Sequence, residues 1–262
     1  MNRIFALLLG MSCALNAANT ITLSNDQITA LGKKIWQREC GGTIEGLTHW
    51  HKNEAFPSLG IGHFIWYPKN KEETYTQTFP DLITFLQAHN VTIPIWLARA
   101  IHTGCPWSDK ASFMHQLKGK QLYELRMLLS STIELQTKFI IHRFENSFAQ
   151  IVAQAPKNKY AHIMRQYNRL SQSTQGLFAM IDYLHFKGAG TNPNERYNNN
   201  GWGLLQVLTA MKDKPVKQAL HEFNAKAKDL LRTRVANSAN KAKEERWLPG
   251  WFARIDSYIE QV

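Results

Sequence analysis

Three glutamates lie upstream of a glycine-rich segment, and their chemistry suits acid–base catalysis. They are Glu39, Glu45 and Glu54, and the segment that follows, residues 58–68, reads SLGIGHFIWYP. Two glycines separated by one apolar residue allow a tight turn and the close approach of another group. Two carboxylates across a cleft, one protonated and one ionised, form the pair that cleaves a glycosidic bond. A pair of this kind suits the cleavage of a sugar polymer.

Glu39 is the first candidate for the general acid. Ile28, Leu31 and Ile35 mark one face of a predicted helix, and Glu39 falls on that face one turn later. Partial burial disfavours a carboxylate, and so does the negative end of the helix dipole. Both effects favour the protonated carboxyl group that a leaving glycosidic oxygen requires.

The second carboxylate is expected between this helix and the glycines. Glu54 lies in a polar turn just before Ser58, and Glu45 is followed directly by a glycine. We expect Glu39 and Glu54 to be the pair, because the apolar helix face gives Glu39 the drier surroundings. The alternative pair is Glu45 as the acid with Glu54 as its partner.

The elements that must position these residues form an α+β pattern that is predominantly helical. Ser24 and Gln27 have the spacing of a capping box, and Gly41-Gly42 ends the first helix. Residues 43–68 indicate a small β lobe, with strands at 43–50 and 59–67. From Phe79 onward the periodicity predicts helices at 81–89, 94–102, 108–117, 119–153, 158–170, 173–186, 202–211 and 216–237. Without a repeat, a long linker or a composition shift, one domain is expected.

The motifs around Glu39 and Gly60 resemble the start of phage-type lysozymes. Those proteins place a catalytic Glu-Gly at the end of the first helix, then a second acid, then a Thr-Ile-Gly-Ile-Gly-His-like strand. Here Glu39 matches the acid, Glu54 stands nearest the second acid, and Ser58 takes the place of the threonine. Gly60, Ile61, Gly62 and His63 match directly.

This resemblance, which covers about thirty residues, implies a lysozyme-like fold with a small β lobe and a larger helical lobe. It also implies muramidase activity on peptidoglycan, with Ser58, Gly60 and His63 on the wall of the substrate cleft. The sequence departs from the family in having Glu rather than Asp as the second acid and a longer spacing from Glu39 to Gly60.

A later loop offers aromatic and polar groups for binding sugars. Tyr183, Arg196, Tyr197 and Trp202 are predicted to contact substrate, because aromatic faces stack on sugar rings and arginine donates hydrogen bonds. The alternative is a packed loop over the core. The string at 203–207, GLLQV, resembles part of a lytic transglycosylase motif, but no suitably spaced glutamate precedes it.

Charge and the N-terminal segment indicate where the protein acts. Residues 1–18 have one early arginine, a short apolar run and small residues, as in a secretory signal peptide, so residues 19–262 form the predicted domain. A periplasmic or extracellular location follows. The net charge of +11 predicts attraction to peptidoglycan or a related anionic glycan. We expect a monomer with no transmembrane segment and no specific nucleic-acid partner.

Other function classes fit the residues less well. A cysteine peptidase would need Cys40 with His49 or His63, but Cys40 lies at a helix C-terminus, which disfavours a thiolate. A metal site of His49, His51, His63 and Glu54 is chemically feasible, yet neither a metal nor a cofactor is predicted. Cys40 and Cys105 form either a disulfide or two buried thiols. The main rival is a glycan-binding protein without turnover, since a fold does not determine activity.

Overall fold

The first helix, α1 (Asn25–Cys40), forms as its sequence predicts. The computed structural model describes residues 21, 23–71 and 75–259, and the predicted signal peptide lies outside them. The Ser24 hydroxyl accepts a hydrogen bond from the Gln27 backbone, and the Gln27 side chain accepts one from the Ser24 backbone. Gly41 has φ +63° and ends the helix in the left-handed conformation. These two boundaries place Glu39 in the last turn.

The β lobe is smaller than predicted. A 3₁₀ turn, Glu45–Leu47, precedes β1 (Thr48–His49), and β2 (Ser58–Leu59) and β3 (Phe64–Ile65) complete an antiparallel sheet in the order β1-β2-β3. Thr48 pairs with Leu59, and Ser58 pairs with Ile65. The continuous strand expected at 59–67 is wrong, because residues 60–63 form a tight turn with positive φ at Gly60 and His63.

The rest of the described chain is predominantly helical. Its helices are α2 (Phe79–Ala88), α3 (Ile95–Ala100), α4 (Lys110–His115), α5 (Lys120–Ser131), α6 (Ile133–Ala153), α7 (Tyr160–Ser171), α8 (Thr174–Lys187), α9 (Leu204–Ala210), α10 (Ala219–Asn237), α11 (Lys241–Glu245) and α12 (Leu248–Asp256). Short 3₁₀ turns occupy Lys157–Lys159 and Val216–Gln218. A two-stranded hairpin, β4 (Arg196–Tyr197) and β5 (Asn200–Gly201), lies between α8 and α9. The α+β, mainly helical architecture is confirmed.

Two parts of the helical region differ from the prediction. The single helix expected at 119–153 is broken at Thr132, which has φ −118°. Its hydroxyl donates back to the Leu128 carbonyl, and such a bond competes with regular helix geometry. The second difference is at the C-terminal end, where α11 and α12 were not predicted.

One contiguous core joins the β lobe to the helices. Trp66, at the end of the β lobe, is fully buried against Phe79 and Trp107. Helix α8 lies in the centre and packs against α1, α7, α9 and α10. Within the described residues, no helix combines the length and apolarity needed to cross a membrane. The core therefore fixes α1, α8 and the β2–β3 turn relative to one another.

Candidate active site

A cavity of about 300 Å³ lies where α1, α6, α8 and the β2–β3 turn meet. This volume is at the lower end of the range for ligand pockets, about 300–1,000 Å³. Most of its wall is aliphatic or aromatic. Its polar lining residues are Glu39, His63, Thr76, Thr78, Arg143, Ser147, Asp182 and His185. An apolar wall with a few converging polar groups is typical of a ligand site.

Glu39 is held at the cavity wall by a cation. Arg254 Nη2 donates a hydrogen bond of 3.0 Å to Glu39 Oε1, and His63 Nδ1 lies 3.4 Å from the other carboxylate oxygen. The Glu39 side chain is 18% exposed, which agrees with its place on the apolar face of α1. One oxygen is therefore engaged by the guanidinium, and the other faces the imidazole.

Arg254 joins Glu39 to a second, more deeply buried carboxylate. Its Nε donates to Asp182 Oδ2 at 2.8 Å, and its Nη2 donates to Asp182 Oδ1 at 2.6 Å. The Tyr258 hydroxyl donates to Asp182 Oδ2 at 2.5 Å. Burial lowers the pKa of Arg254, but the hydrogen bonds and charge of Asp182, with that of Glu39, raise it above its ordinary value. The guanidinium is thus a fixed positive charge between two carboxylates.

Gly60 requires a glycine for two independent reasons. It has φ +68°, and a Cβ atom there would lie 2.4 Å from the Gln136 side-chain oxygen. That oxygen accepts a hydrogen bond of 3.0 Å from the Ile61 backbone, while Gln136 Nε2 donates to the Leu129 carbonyl. Buried Gln136 therefore links the β2–β3 turn to the start of α6. It is the group whose close approach the glycine at position 60 permits.

The same turn presents His63 to the cavity. His63 has φ +46°, which is uncommon for a residue other than glycine. Burial lowers the pKa of His63 below its usual range, while the Glu39 carboxylate acts in the opposite direction. The imidazole is consequently neutral at pH 7 and able to form one donor and one acceptor bond.

The proposed second carboxylates lie at the surface of the β lobe. Glu54 is exposed in the turn after β1, and its carbonyl accepts a hydrogen bond from Trp50 Nε1. Its charge acts on His63, which places it on the same side of the molecule. Glu45 is exposed at the start of the 3₁₀ turn. Neither lines the cavity, whereas Asp182, which the sequence analysis did not single out, does.

The aromatic residues expected to bind sugar are divided between core and surface. Tyr183 is fully buried and donates a hydrogen bond to the Trp202 carbonyl, so its ring has no face for a ligand. Trp202 is buried between Tyr197 and the Arg234 guanidinium. Tyr197 is half-buried and donates to Glu244, and Arg196 is exposed on β4. None of these four residues lines the cavity.

The remaining predicted residues also have defined places. Ser58 is buried within the sheet. Cys40 and Cys105 are two buried free thiols rather than a disulfide. Burial, with the charge of Glu39, raises the pKa of Cys40 to about 12, which excludes it as a thiolate nucleophile at pH 7. No group of three or more metal-ligating side chains occurs among the residues that the structure describes.

Sequence reasoning missed Arg254, Asp182 and Tyr258, although a pattern for α12 was present. Apolar residues at 248, 251, 252, 255 and 258 follow helical spacing after Asn240, with Pro249 in the first turn. Comparisons of the chain with protein-family models, curated proteins and solved structures gave no match. The case for a function therefore depends on the residues of the site.

Proposed function

We propose that this protein is a secreted lysozyme-like glycosidase that cleaves peptidoglycan, with Glu39 as the general acid. The observation that carries the proposal is the position of Glu39. It lies at the end of the first helix, largely buried, on the wall of a cavity formed with the turn that carries the Gly-Ile-Gly-His motif. This arrangement gives physical support to the sequence resemblance.

In the proposed reaction, Glu39 delivers a proton to the glycosidic oxygen as the bond from that oxygen to the anomeric carbon breaks. Arg254 fixes one carboxyl oxygen, which leaves the oxygen nearest His63 to carry the proton. Glu54 removes a proton from the water that adds to the anomeric carbon. Asp182 does not take this role, because Arg254 and Tyr258 occupy both of its oxygens; it positions Arg254.

The placement of Glu54 also favours a second candidate reaction. Because Glu54 does not line the cavity, Glu39 is, among the described residues, the one carboxylate of the cavity wall with an oxygen that accepts no hydrogen bond. A lytic transglycosylase requires a single acid, which first protonates the leaving oxygen and then accepts a proton from the substrate's own hydroxyl. The product would carry an anhydro end in place of a reducing end.

The ion pair of Glu39 with Arg254 supports the third candidate, a glycan-binding protein without turnover. The Arg254 guanidinium lies 3.0 Å from the Glu39 carboxylate, and in this candidate the ion pair is kept and Glu39 donates no proton. In this case the cavity and the cationic surface bind the polymer, and no bond is broken.

Incubation with purified peptidoglycan, followed by mass spectrometry of the released fragments, separates the three candidates. The hydrolase releases reducing ends, and Glu39→Gln and Glu54→Gln lower the rate by at least ~100-fold. The transglycosylase releases anhydro ends, and only Glu39→Gln abolishes the activity. Glu45→Gln tests the alternative pair, and Glu245→Gln, which changes an exposed glutamate of α11, is the control that retains activity. Co-sedimentation with the glycan and no fragments from the wild type would leave a binding protein.

A further inference from the structure

One arginine in the cavity differs from the other half-buried arginines. Within the described residues, arginines 38, 126, 169, 234 and 254 each donate a hydrogen bond to a protein oxygen. Arg143 is equally half-buried, yet it forms neither a hydrogen bond nor an ion pair with any described residue. A guanidinium that is partly removed from water is normally paired. Because none of the described residues supplies the anionic partner, we look for it in a bound ligand.

The surroundings of Arg143 give it position without neutralising it. Its guanidinium lies 5.7 Å from the centre of the Phe139 ring on the same helix. Asp81 on α2 is the acid whose charge acts on it, but Asp81 is exposed and lies beyond ion-pair distance. Burial lowers the pKa of Arg143 below its ordinary value, with Asp81 opposing the shift; arginine nevertheless remains charged at pH 7.

The missing group is most simply a carboxylate. A planar guanidinium matches a carboxylate with two parallel hydrogen bonds. A phosphate is disfavoured, because the cavity already contains Glu39 and Asp182, and Arg254 is shared between them. Among the described residues, Arg143 is therefore the one unpaired arginine that faces the cavity, which suits a monoanion better than a dianion. Hydroxyl groups of Thr76 and Ser147 on the same wall suit the sugar or amide that bears the carboxylate.

We propose that Arg143 binds a carboxylate of the glycan substrate within the cavity that contains Glu39, and so selects acidic over neutral glycans. This inference rests on the proposed function, since it assigns a specificity residue to the same cavity. It adds a requirement that general-acid chemistry does not impose, namely a carboxylate on the bound sugar or on its peptide substituent.

The test compares two soluble peptidoglycan oligosaccharides that differ only in their carboxylates, one native and one chemically amidated. For the wild type, we expect amidation to raise KM about 10- to 100-fold with little change in kcat. For Arg143→Met, KM is expected to be the same for both oligosaccharides and close to the wild-type value for the amidated one. Arg143→Lys keeps the positive charge but lacks the planar guanidinium with its two parallel donors. Its ratio of the KM for the amidated oligosaccharide to the KM for the native one is expected to lie between those of the wild type and Arg143→Met.

Arg99→Met, which removes an exposed arginine of α3, is the matched control and keeps the wild-type ratio. Circular dichroism and the melting temperature establish that each variant is folded. A wild type that does not distinguish the two oligosaccharides, or an Arg143→Met variant that still does, would overturn the proposal. If the wild type cleaves neither oligosaccharide, the proposed activity is wrong. Calorimetric Kd values of the wild type and of Arg143→Met for the two oligosaccharides then test the carboxylate site independently of cleavage.

Discussion

Replacing Arg254 by methionine is expected to destabilise the protein through the carboxylate that it leaves behind. Asp182 is only 4% exposed, and it would retain one partner, the Tyr258 hydroxyl. Removing one member of a buried ion pair costs about 3–5 kcal/mol. Because the Arg254 side chain is 24% exposed, water partly replaces it, so we expect a loss near the lower value, about 3 kcal/mol.

This loss corresponds to a melting temperature lowered by roughly 6–12 °C. The free energy of unfolding is measured by urea denaturation with far-UV circular dichroism, because the slope also reports whether the variant unfolds from a comparable compact state. Arg246→Met, which removes an exposed arginine at the end of α11, is the control and is expected to change stability by less than about 0.5 kcal/mol.

A double-mutant cycle with Asp182→Asn isolates the interaction energy between Arg254 and Asp182. The asparagine still accepts the Tyr258 hydrogen bond but has no buried charge, so the double variant is expected to be more stable than Arg254→Met alone. A coupling energy of about 2 kcal/mol or more is expected for this bidentate, buried geometry. A coupling below about 1 kcal/mol, the range of surface pairs, would refute the argument that the guanidinium compensates a buried charge.

Two further predictions concern stability. Burial, with the charge of Arg234, lowers the pKa of Lys187 to about 7 in the folded protein. Between about pH 7 and pH 10 the unfolded chain therefore binds more protons at this residue than the folded chain does. As a result, the free energy of unfolding of the wild type is expected to rise with pH relative to that of Lys187→Met. Urea denaturation between about pH 6 and pH 9 is expected to show a relative gain of about 1–2 kcal/mol in the free energy of unfolding. The gain is smaller than the full pKa shift implies, because the amine is partly solvated and Trp251 favours its charged form. Parallel stability–pH profiles for the wild type and Lys187→Met would contradict the prediction. Gln136→Leu leaves the buried Ile61 N–H without its partner and removes the shortest hydrogen bond to the Leu129 carbonyl, which keeps two longer bonds from Thr132. We expect it to cost about 1–3 kcal/mol, whereas Gln150→Leu, on the exposed face of the same helix, should be near neutral.

The parts of the fold that the sequence predicts correctly depend on local interactions. The Ser24–Gln27 capping box and the left-handed Gly41 act on residues nearby in the sequence, so the residue types at these positions determine the ends of α1 directly. The same holds for the close approach to Gly60, which a missing Cβ permits. Local patterns alone therefore place Glu39 at the end of α1.

The parts that were not predicted depend on contacts between distant residues. Whether Tyr183 faces a sugar or the core depends on Phe223 and Trp202, which lie on other elements. The partner of Glu39 comes from a helix 215 residues further along the chain, and no spacing rule connects the two. The helix break at Thr132 could be predicted only in part. The run of Ser130, Ser131 and Thr132 favours a break, but the apolar periodicity of 119–153 continues through it and indicates a single helix.

The position of Arg254 near the end of the described chain has a consequence for synthesis on the ribosome. α1, the β2–β3 turn and α8 are all translated before α12, so both carboxylates emerge well before the guanidinium that they share. During this interval Asp182 has no cation of its own to accompany it into the core. Packing of α12 is thus what supplies Asp182 and Glu39 with their shared cation, and a nascent chain stalled upstream of residue 254 would contain Glu39 without its anchor.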